Sequence, residues 1–305
     1  MPLYSIHLPL HTLIHIHTHT YTHTKYKRTL QSADWNEQSW FLLPYQLGQG
    51  FPGIISSHVR KGIEMAGADP KSLLIFSGGQ TRKDVGPTSE AASYYYLAEQ
   101  KGWLVDKDLR ERTFLEEFAR DSFENLLFSI CRFKEVTGSY PSRVTVIGFD
   151  FKASRFTDLH RKAIGLPNSR FTYIGLRPDT NLFDHAKAER GEEEAKKAFQ
   201  ADMYGCNSQE LAEKKLKRNP FRRSVPYITA CPELAGLLTW CGPDIFDVNL
   251  LPWQQLEANP HGSKDDQDGG DGGKFLTSSE RMNKGYITRE RSTNLDNKNL
   301  RGVTS

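Results

Sequence analysis

The sequence has few cysteines, no long apolar run and almost no net charge, and each shortage argues against a class of protein. The cysteines are Cys131, Cys206, Cys231 and Cys241. They form no CxxC motif and lack the Cys/His spacing of a metal site, so we expect free thiols in a reducing compartment. No apolar run approaches the roughly 20 residues that a membrane-spanning helix needs. A formal charge of +3 over 305 residues gives no indication of a nucleic-acid partner.

Composition divides the chain into three parts. A hydrophobic fraction of 37% is low for a fully globular chain, so part of the length is expected to be tail. We expect residues 1–34 to be disordered and non-native, and residues 258–305 to be a disordered tail rich in Asp and Gly. Residues 35–257 are expected to form one α/β domain with a helical extension from about residue 181. The expected location is intracellular and cytoplasmic, and membrane association through a different N-terminus stays open.

The N-terminal residues alternate between histidine and threonine from about His15 to Thr24. One interpretation is a histidine-rich metal-binding tract. The interpretation that we favour is translated repeat DNA, because a CA dinucleotide repeat read in frame encodes His-Thr. On that interpretation nothing before Trp35 forms a strand, and the domain lacks its first strand.

After Trp35, apolar strands and amphipathic helices alternate at short spacing. Continuous apolar runs at 73–76, 143–149 and 171–176 predict buried strands, and 112–115 predicts a short extended segment. Apolar residues at helical spacing predict helices between them, most clearly from Phe123 to Gly138. This alternation predicts an α/β fold of the Rossmann-like kind, a three-layer sandwich with a mostly parallel sheet flanked by helices.

Three polar loops follow the predicted strands and are expected to meet at one edge of the sheet, where open parallel sheets bind their ligands. The candidate ligand-binding residues are Gly78, Gly79, Gln80, Thr81, Arg82, Ser89 and Glu90 in the first loop, Arg120, Ser122 and Asn125 in the second, and Asp150, Lys152, Arg155 and His160 in the third. The glycines would allow close approach of a ligand to the backbone. The arginines and the lysine would suit a phosphate or another anion.

Glu116 is the candidate catalytic acid or base. Each candidate also has a structural interpretation: the glycines can make a tight turn, and Glu116, Ser122 and Asn125 can brace a loop. Lys152 and Arg155 can be a solvated helix start, and His160 can be a core residue. No Cys/His/carboxylate cluster outside the N-terminal repeat indicates a metal, and the sequence names no cofactor.

The three loops also carry motifs in a recognisable order. Ser-Gly-Gly at 77–79 precedes Ser-Glu-Ala at 89–91, then Glu116, Ala119, Ser122 and Asn125 at three-residue spacing, then Asp-Phe-Lys-Ala-Ser-Arg at 150–155. This order resembles the family called domain of unknown function 218 (DUF218), which includes the bacterial SanA-like and YdcF-like proteins. Lys152 stands where that family has histidine, so a cation is kept and a neutral base is lost. The variants at 148–152 and the segment from Cys231 to Pro243 are similar to a fungal branch.

The resemblance covers residues 35–180 and implies a Rossmann-like domain without an established reaction. From it and from the loops, we expect the protein to bind a phosphate-bearing or nucleotide-like small molecule, with hydrolysis or transfer left open. The alternatives are a non-catalytic module for a nucleotide or S-adenosylmethionine-like molecule, and a truncated inactive copy. A small anion is the expected partner, without nucleic acid and without a membrane span, and the sequence does not give the oligomeric state.

Overall fold

The computed structural model describes residues 12–17, 23–24, 37–178 and 181–254, all within one compact unit of residues 1–260. The strands are β1 (Thr12–His17), β2 (His23–Thr24), β3 (Trp40–Phe41), β4 (Ser72–Ser77), β5 (Thr113–Glu116), β6 (Arg143–Phe149) and β7 (Phe171–Leu176). Five of them form one sheet in the order β5-β4-β1-β6-β7, and every neighbouring pair in it is parallel. The short β2 and β3 pair with each other in the antiparallel direction.

The helices are α1 (Phe51–Ala68), α2 (Glu90–Gln100), α3 (Lys107–Glu111), α4 (Ser122–Thr137), α5 (Arg161–Ala163), α6 (His185–Ala201), α7 (Gln209–Lys217), α8 (Tyr227–Ala230) and α9 (Ala235–Thr239). A π-helical turn, Arg155–His160, leads into α5. The ends of α4 show why it forms where it does. Asp121 caps its first turn by accepting from the Glu124 N–H, and Gly138 ends it in the left-handed conformation with φ of +77°.

The expectation of an α/β fold with parallel strands is confirmed, and the arrangement is compatible with a Rossmann-like fold. The strands predicted at 143–149 and 171–176 match β6 and β7. In β4, alternate residues belong to two different buried clusters, with Leu73 and Ile75 in one and Leu74 and Phe76 in the other. Because side chains alternate across a strand, β4 is buried on both faces.

The expectation that nothing before Trp35 forms a strand is wrong. Residues Thr12–His17 form β1, which pairs with β4 on one side and β6 on the other and so occupies the centre of the sheet. The sequence Thr-Leu-Ile-His-Ile-His is rich in β-branched and apolar residues, which favour strands. The neighbouring His-Thr repeat hid this preference. The first strand, which the alternative of a truncated copy took to be missing, is formed by Thr12–His17.

The helical extension continues from His185 through α6, α7, α8 and α9. Cys206 and Cys241 within it form a disulfide, so the expectation of free thiols is wrong for this pair. Cys131 and Cys231 are free and buried. The two paired cysteines stand 35 residues apart, and only the fold of the extension brings them together. The predictions for residues 1–11, 18–22, 25–36 and 255–305, including half of the histidine repeat and the tail, lie outside the described residues.

Candidate ligand-binding site

A cavity of about 530 Å³ lies at the carboxyl end of β6. Its walls come from that strand end, from the start of α4, from the residues around the start of α1, and from α6 and α7. From β1 the chain moves outward to β4 and β5, and β6 and β7 then build on the other side of β1. The cavity therefore lies near the point where the strand order reverses, the usual ligand position in open parallel sheets.

One wall of the cavity is aromatic. The Phe149 and Phe151 rings are stacked with centroids 5.0 Å apart, and the Phe183 ring lies nearly parallel to both at 6.2 Å. The Lys152 ammonium lies 5.0 Å from the centroid of the Phe149 ring. A flat apolar surface thus adjoins a cation within the same space.

The cavity is also lined by a group of cations, namely Lys152, Arg155, Lys187, Arg190, Lys214 and Arg218. Burial, together with the nearby positive charges of Arg155 and Arg218, lowers the pKa of Lys152 to about 7. Burial and the charges of Arg218 and Arg155 also lower the pKa of Lys214. Burial is the largest cause of both shifts and the neighbouring positive charges act in the same direction, so a bound anion would favour the charged form of both lysines.

Arg155 connects the third loop to the extension. Its Nε and Nη2 atoms donate to the two carboxylate oxygens of Glu192, both at 2.7 Å, and both side chains are almost fully buried. Its Nη1 donates to Ser122 Oγ at 3.1 Å. Lys215 makes a second connection, with ion pairs to Asp121 at 3.2 Å and to Glu124 at 3.4 Å. The extension is therefore attached to the edge of the sheet by buried charge pairs.

His160 lies behind the cavity wall. Its Nε2 atom is 2.7 Å from Ser122 Oγ, and the rings of Phe123, Phe156 and Phe199 surround it. Burial and the nearby Arg155 charge hold the pKa of His160 well below its usual value. The imidazole is thus neutral, and its structural interpretation fits this position better than contact with a ligand.

The glycine loop uses its backbone groups internally. The Gly78 N–H donates to the Glu116 carbonyl and the Gly79 N–H donates to the Ala119 carbonyl. Gly78 has φ of +149°, and a Cβ there would lie 2.7 Å from the Glu90 Cβ, while a Cβ on Gly79 would lie 2.6 Å from the Ala119 oxygen. Close packing of three segments therefore requires these glycines. Their N–H groups are not directed at an anion.

The N–H groups at the start of α2 also donate within the protein. The Glu90 and Ala91 N–H groups donate to the glycine-loop carbonyls, and Ser89 Oγ accepts from the Ala92 N–H. Glu90 itself is buried and accepts from the Thr81 hydroxyl at 2.8 Å. Burial raises the pKa of Glu90 to about 7, against the opposing influence of this hydrogen bond and of Arg218 and Lys152.

Glu116 is enclosed rather than placed at the cavity. Its carboxylate accepts from the Ser77 hydroxyl at 2.6 Å, from the Phe118 and Ala119 N–H groups, and from the Tyr227 hydroxyl at 3.2 Å. The side chain has no exposed surface, and burial raises its pKa to about 7. In this position Glu116 braces the loop after β5, which was the structural interpretation of this residue.

Replacing Glu116 with Gln is expected to lower the free energy of unfolding by about 1–3 kcal/mol. The reason is that the NH₂ group of Gln would replace a carboxylate oxygen that accepts hydrogen bonds, and the hydrogen-bond donors around it are held in place. Ligand binding should change little. Chemical denaturation measures the first effect and calorimetric titration the second. Glu111→Gln on the exposed side of α3 is the control and should cost less than about 0.5 kcal/mol. Unchanged stability together with lost turnover would instead support a catalytic Glu116.

Of the predicted residues, the structure brings Ser122, Lys152 and Arg155 to the cavity, and it places Thr81 at a smaller recess beside it. The other predicted residues do not line the cavity and make contacts within the protein. Gln80 donates to the Pro87 carbonyl, Arg82 to the Phe41 carbonyl, Ser89 to Glu117 and Arg120 to Glu124, while Asp150 accepts from the Phe151 N–H and Asn125 is buried in α4.

The largest omission of the sequence-based site is the extension. Phe183, Lys187, Arg190, Lys214 and Arg218 all follow residue 180 and line the cavity. The basic run from Lys214 to Arg218 is a signal in the sequence, but a run of charges does not by itself distinguish a cavity wall from a solvated helix face. Among the described residues, no group of three or more His, Cys, Asp or Glu side chains could hold a metal ion. Nor is any helix in the described ranges long and apolar enough to cross a membrane.

Comparison with known proteins gives one informative match. The chain is 35% identical over 198 residues to an uncharacterised protein of Saccharomyces cerevisiae, YOR238W. The matched region covers 51% of this chain and 65% of the yeast protein, so the match spans less than two thirds of that relative. No protein-family model matches the chain, and no solved structure matches it.

Proposed function

We propose that the cavity binds a phosphate-bearing, nucleotide-like small molecule. The observation that carries this proposal is the meeting of an aromatic wall and a cluster of cations in one cavity at the carboxyl edge of a parallel sheet. Rings of Phe149, Phe151 and Phe183 offer an apolar surface to a base, and Lys152, Lys214 and Arg218 offer charge to phosphate. A volume of about 530 Å³ is in the usual range for small-molecule sites.

We also propose a Rossmann-like three-layer arrangement and kinship with the domain of unknown function 218 family. The strand order and the two buried clusters that share β4 support the first proposal. The second rests on the order of the loop motifs, including the glycine pair that packs against the loop after β5. The small anion is the proposed partner.

The proposal has two forms. The first is binding without catalysis, because the side chains that could act as acid or base are enclosed by the protein. Hydrolysis or transfer is the second form, and the distance of 2.7 Å between Ser122 Oγ and His160 Nε2 favours it. The lowered pKa of His160 opposes it, since a general base must accept a proton near neutral pH. Release of phosphate or of a nucleoside product by wild type, lost in Ser122→Ala, would establish the catalytic form.

Thermal-shift and calorimetric titrations with AMP, ADP and S-adenosylmethionine test the binding proposal. A ligand present at 100 times its dissociation constant should stabilise the fold by about 2.7 kcal/mol. Lys214→Met should weaken nucleotide binding about tenfold, because it removes one charge at the phosphate position. Lys197→Met removes an exposed cation of α6 that does not line the cavity, and should change nothing.

Two results would count against the proposal. One is the absence of stabilisation by millimolar AMP or ADP. The other is equal binding by Lys214→Met and Lys197→Met. Stabilisation by S-adenosylmethionine alone would support a ligand site in the cavity, but would show that its ligand is not a phosphate compound.

A further inference from the structure

A second recess of about 340 Å³ adjoins the cavity along α7. It is lined by Thr81, Glu210, Glu213, Lys214, Lys217 and Arg218. Lys214 and Arg218 line the cavity as well. These two residues are four positions apart on one helical face, so their charged groups are neighbours. Two positive side chains therefore form the border between two spaces.

The two spaces differ in chemistry. The cavity has the aromatic wall, whereas the described residues that line the recess include no aromatic side chain. The recess instead offers the carboxylates of Glu210 and Glu213 and the Thr81 hydroxyl. Carboxylates accept hydrogen bonds from hydroxyl groups and repel phosphate. A terminal phosphate directed into this recess would meet both glutamates, but a neutral group with hydroxyls would find acceptors there.

The anion position is thus between the two spaces, at the residues that line both of them. Lys152 approaches it from the third loop, and Lys214 and Arg218 approach it from α7 and its C-terminal end. The charges of Arg218 and Arg155 help to lower the pKa of Lys214, so positive charge is concentrated at this border. Three cations line the space on or near this border, and two linked phosphates carry two negative charges to pair with them, whereas a single phosphodiester offers one.

We propose that the ligand is a pyrophosphate diester, with its nucleoside on the Phe149, Phe151 and Phe183 side, its two phosphates at Lys214 and Arg218, and a hydroxyl-bearing group in the recess. This inference rests on the proposed nucleotide binding. It adds that both ends of the pyrophosphate are substituted, and that Glu210 and Glu213 select the second substituent.

Two matched pairs of probes test the inference by calorimetric titration with the full chain. UDP is compared with UDP-glucose, and ADP with ADP-ribose, so that each pair differs in the group beyond the pyrophosphate. In at least one pair the diester should bind about tenfold more tightly than the free diphosphate. The double variant Glu210→Gln/Glu213→Gln should lose that preference by weakening the diester, while the affinity for the diphosphate stays equal or improves.

The matched control is Glu193→Gln, which removes an exposed carboxylate. Glu193 forms an ion pair with Lys197 four residues later, in the same way that Glu213 forms one with Lys217. The control variant should leave all four affinities unchanged. If diphosphate and diester bind equally to wild type, or if the double variant weakens both members of a pair equally, this inference is wrong while nucleotide binding stands. If none of the four probes binds, both this inference and the proposed function fail.

Discussion

Replacing Arg155 with Met is expected to lower the free energy of unfolding by about 3–5 kcal/mol. The wild-type guanidinium donates two hydrogen bonds of 2.7 Å to Glu192, and these two side chains are 6% and 7% exposed. Without Arg155, a carboxylate in α6 is left buried and unpaired, and Ser122 loses a donor. Urea denaturation of the two proteins measures the difference directly.

Two further variants show whether this loss comes from the unpaired charge. Arg155→Met/Glu192→Leu replaces both members by apolar groups and should recover most of the lost stability. Lys197→Met breaks the exposed pair between Lys197 and Glu193 and should cost no more than about 0.5 kcal/mol. The interpretation fails if Arg155→Met stays within about 1 kcal/mol of wild type.

Anion binding is expected to weaken about tenfold between pH 6 and pH 8. The pKa of Lys152 is lowered from 10.5 to about 7, so its ammonium is charged below pH 7 and neutral above it. Glu90, whose pKa is raised to about 7, gains its negative charge over the same range and acts in the same direction. His58 stays neutral throughout, because burial and the Lys152 charge lower its pKa to about 3. A shift of one pKa unit corresponds to about 1.4 kcal/mol, which is also the free-energy difference of a tenfold change in affinity.

Cyclic AMP is a suitable probe for this pH series, because its phosphodiester keeps one negative charge from pH 6 to pH 8. Lys152→Arg keeps its charge over the whole range and should retain only the smaller dependence due to Glu90. Lys152→Met should bind weakly at both pH values, about tenfold below wild type at pH 6. A tenfold loss that persists in Lys152→Arg would show that Lys152 is not the group responsible.

The sequence predicted most of the sheet because its strands carry their own signal. Residues 143–149 form a continuous apolar run, and a central parallel strand needs apolar side chains on both faces. β1 escaped prediction because its short β-forming run merges with the His-Thr repeat. The disulfide could not be anticipated either, since Cys206 and Cys241 meet through the fold of the extension.

The candidate site was predicted in part for a similar reason. Lys152 and Arg155 follow a clear strand, so the carboxyl-edge rule located them. That rule says nothing about which helices later in the chain cover the edge. Lys214 lies in a polar helix and Arg218 lies just after its last residue, and the periodicity of that segment indicates a helix but not what it contacts. Glu116 showed the opposite error, because sequence spacing does not reveal that four donors already enclose its carboxylate.

The central position of β1 has a consequence for how the chain folds. Thr12 pairs with Ser72 on one side and with Arg143 on the other. The strand β1 is therefore synthesised well before the two strands that pair with it. Pairing between distant segments is slow because the closure entropy of long loops must be overcome first. During synthesis on the ribosome, the sheet cannot close until β6 has emerged. Until then the edge of β1 that β6 will cover is open to other chains, so this interval is where aggregation is expected.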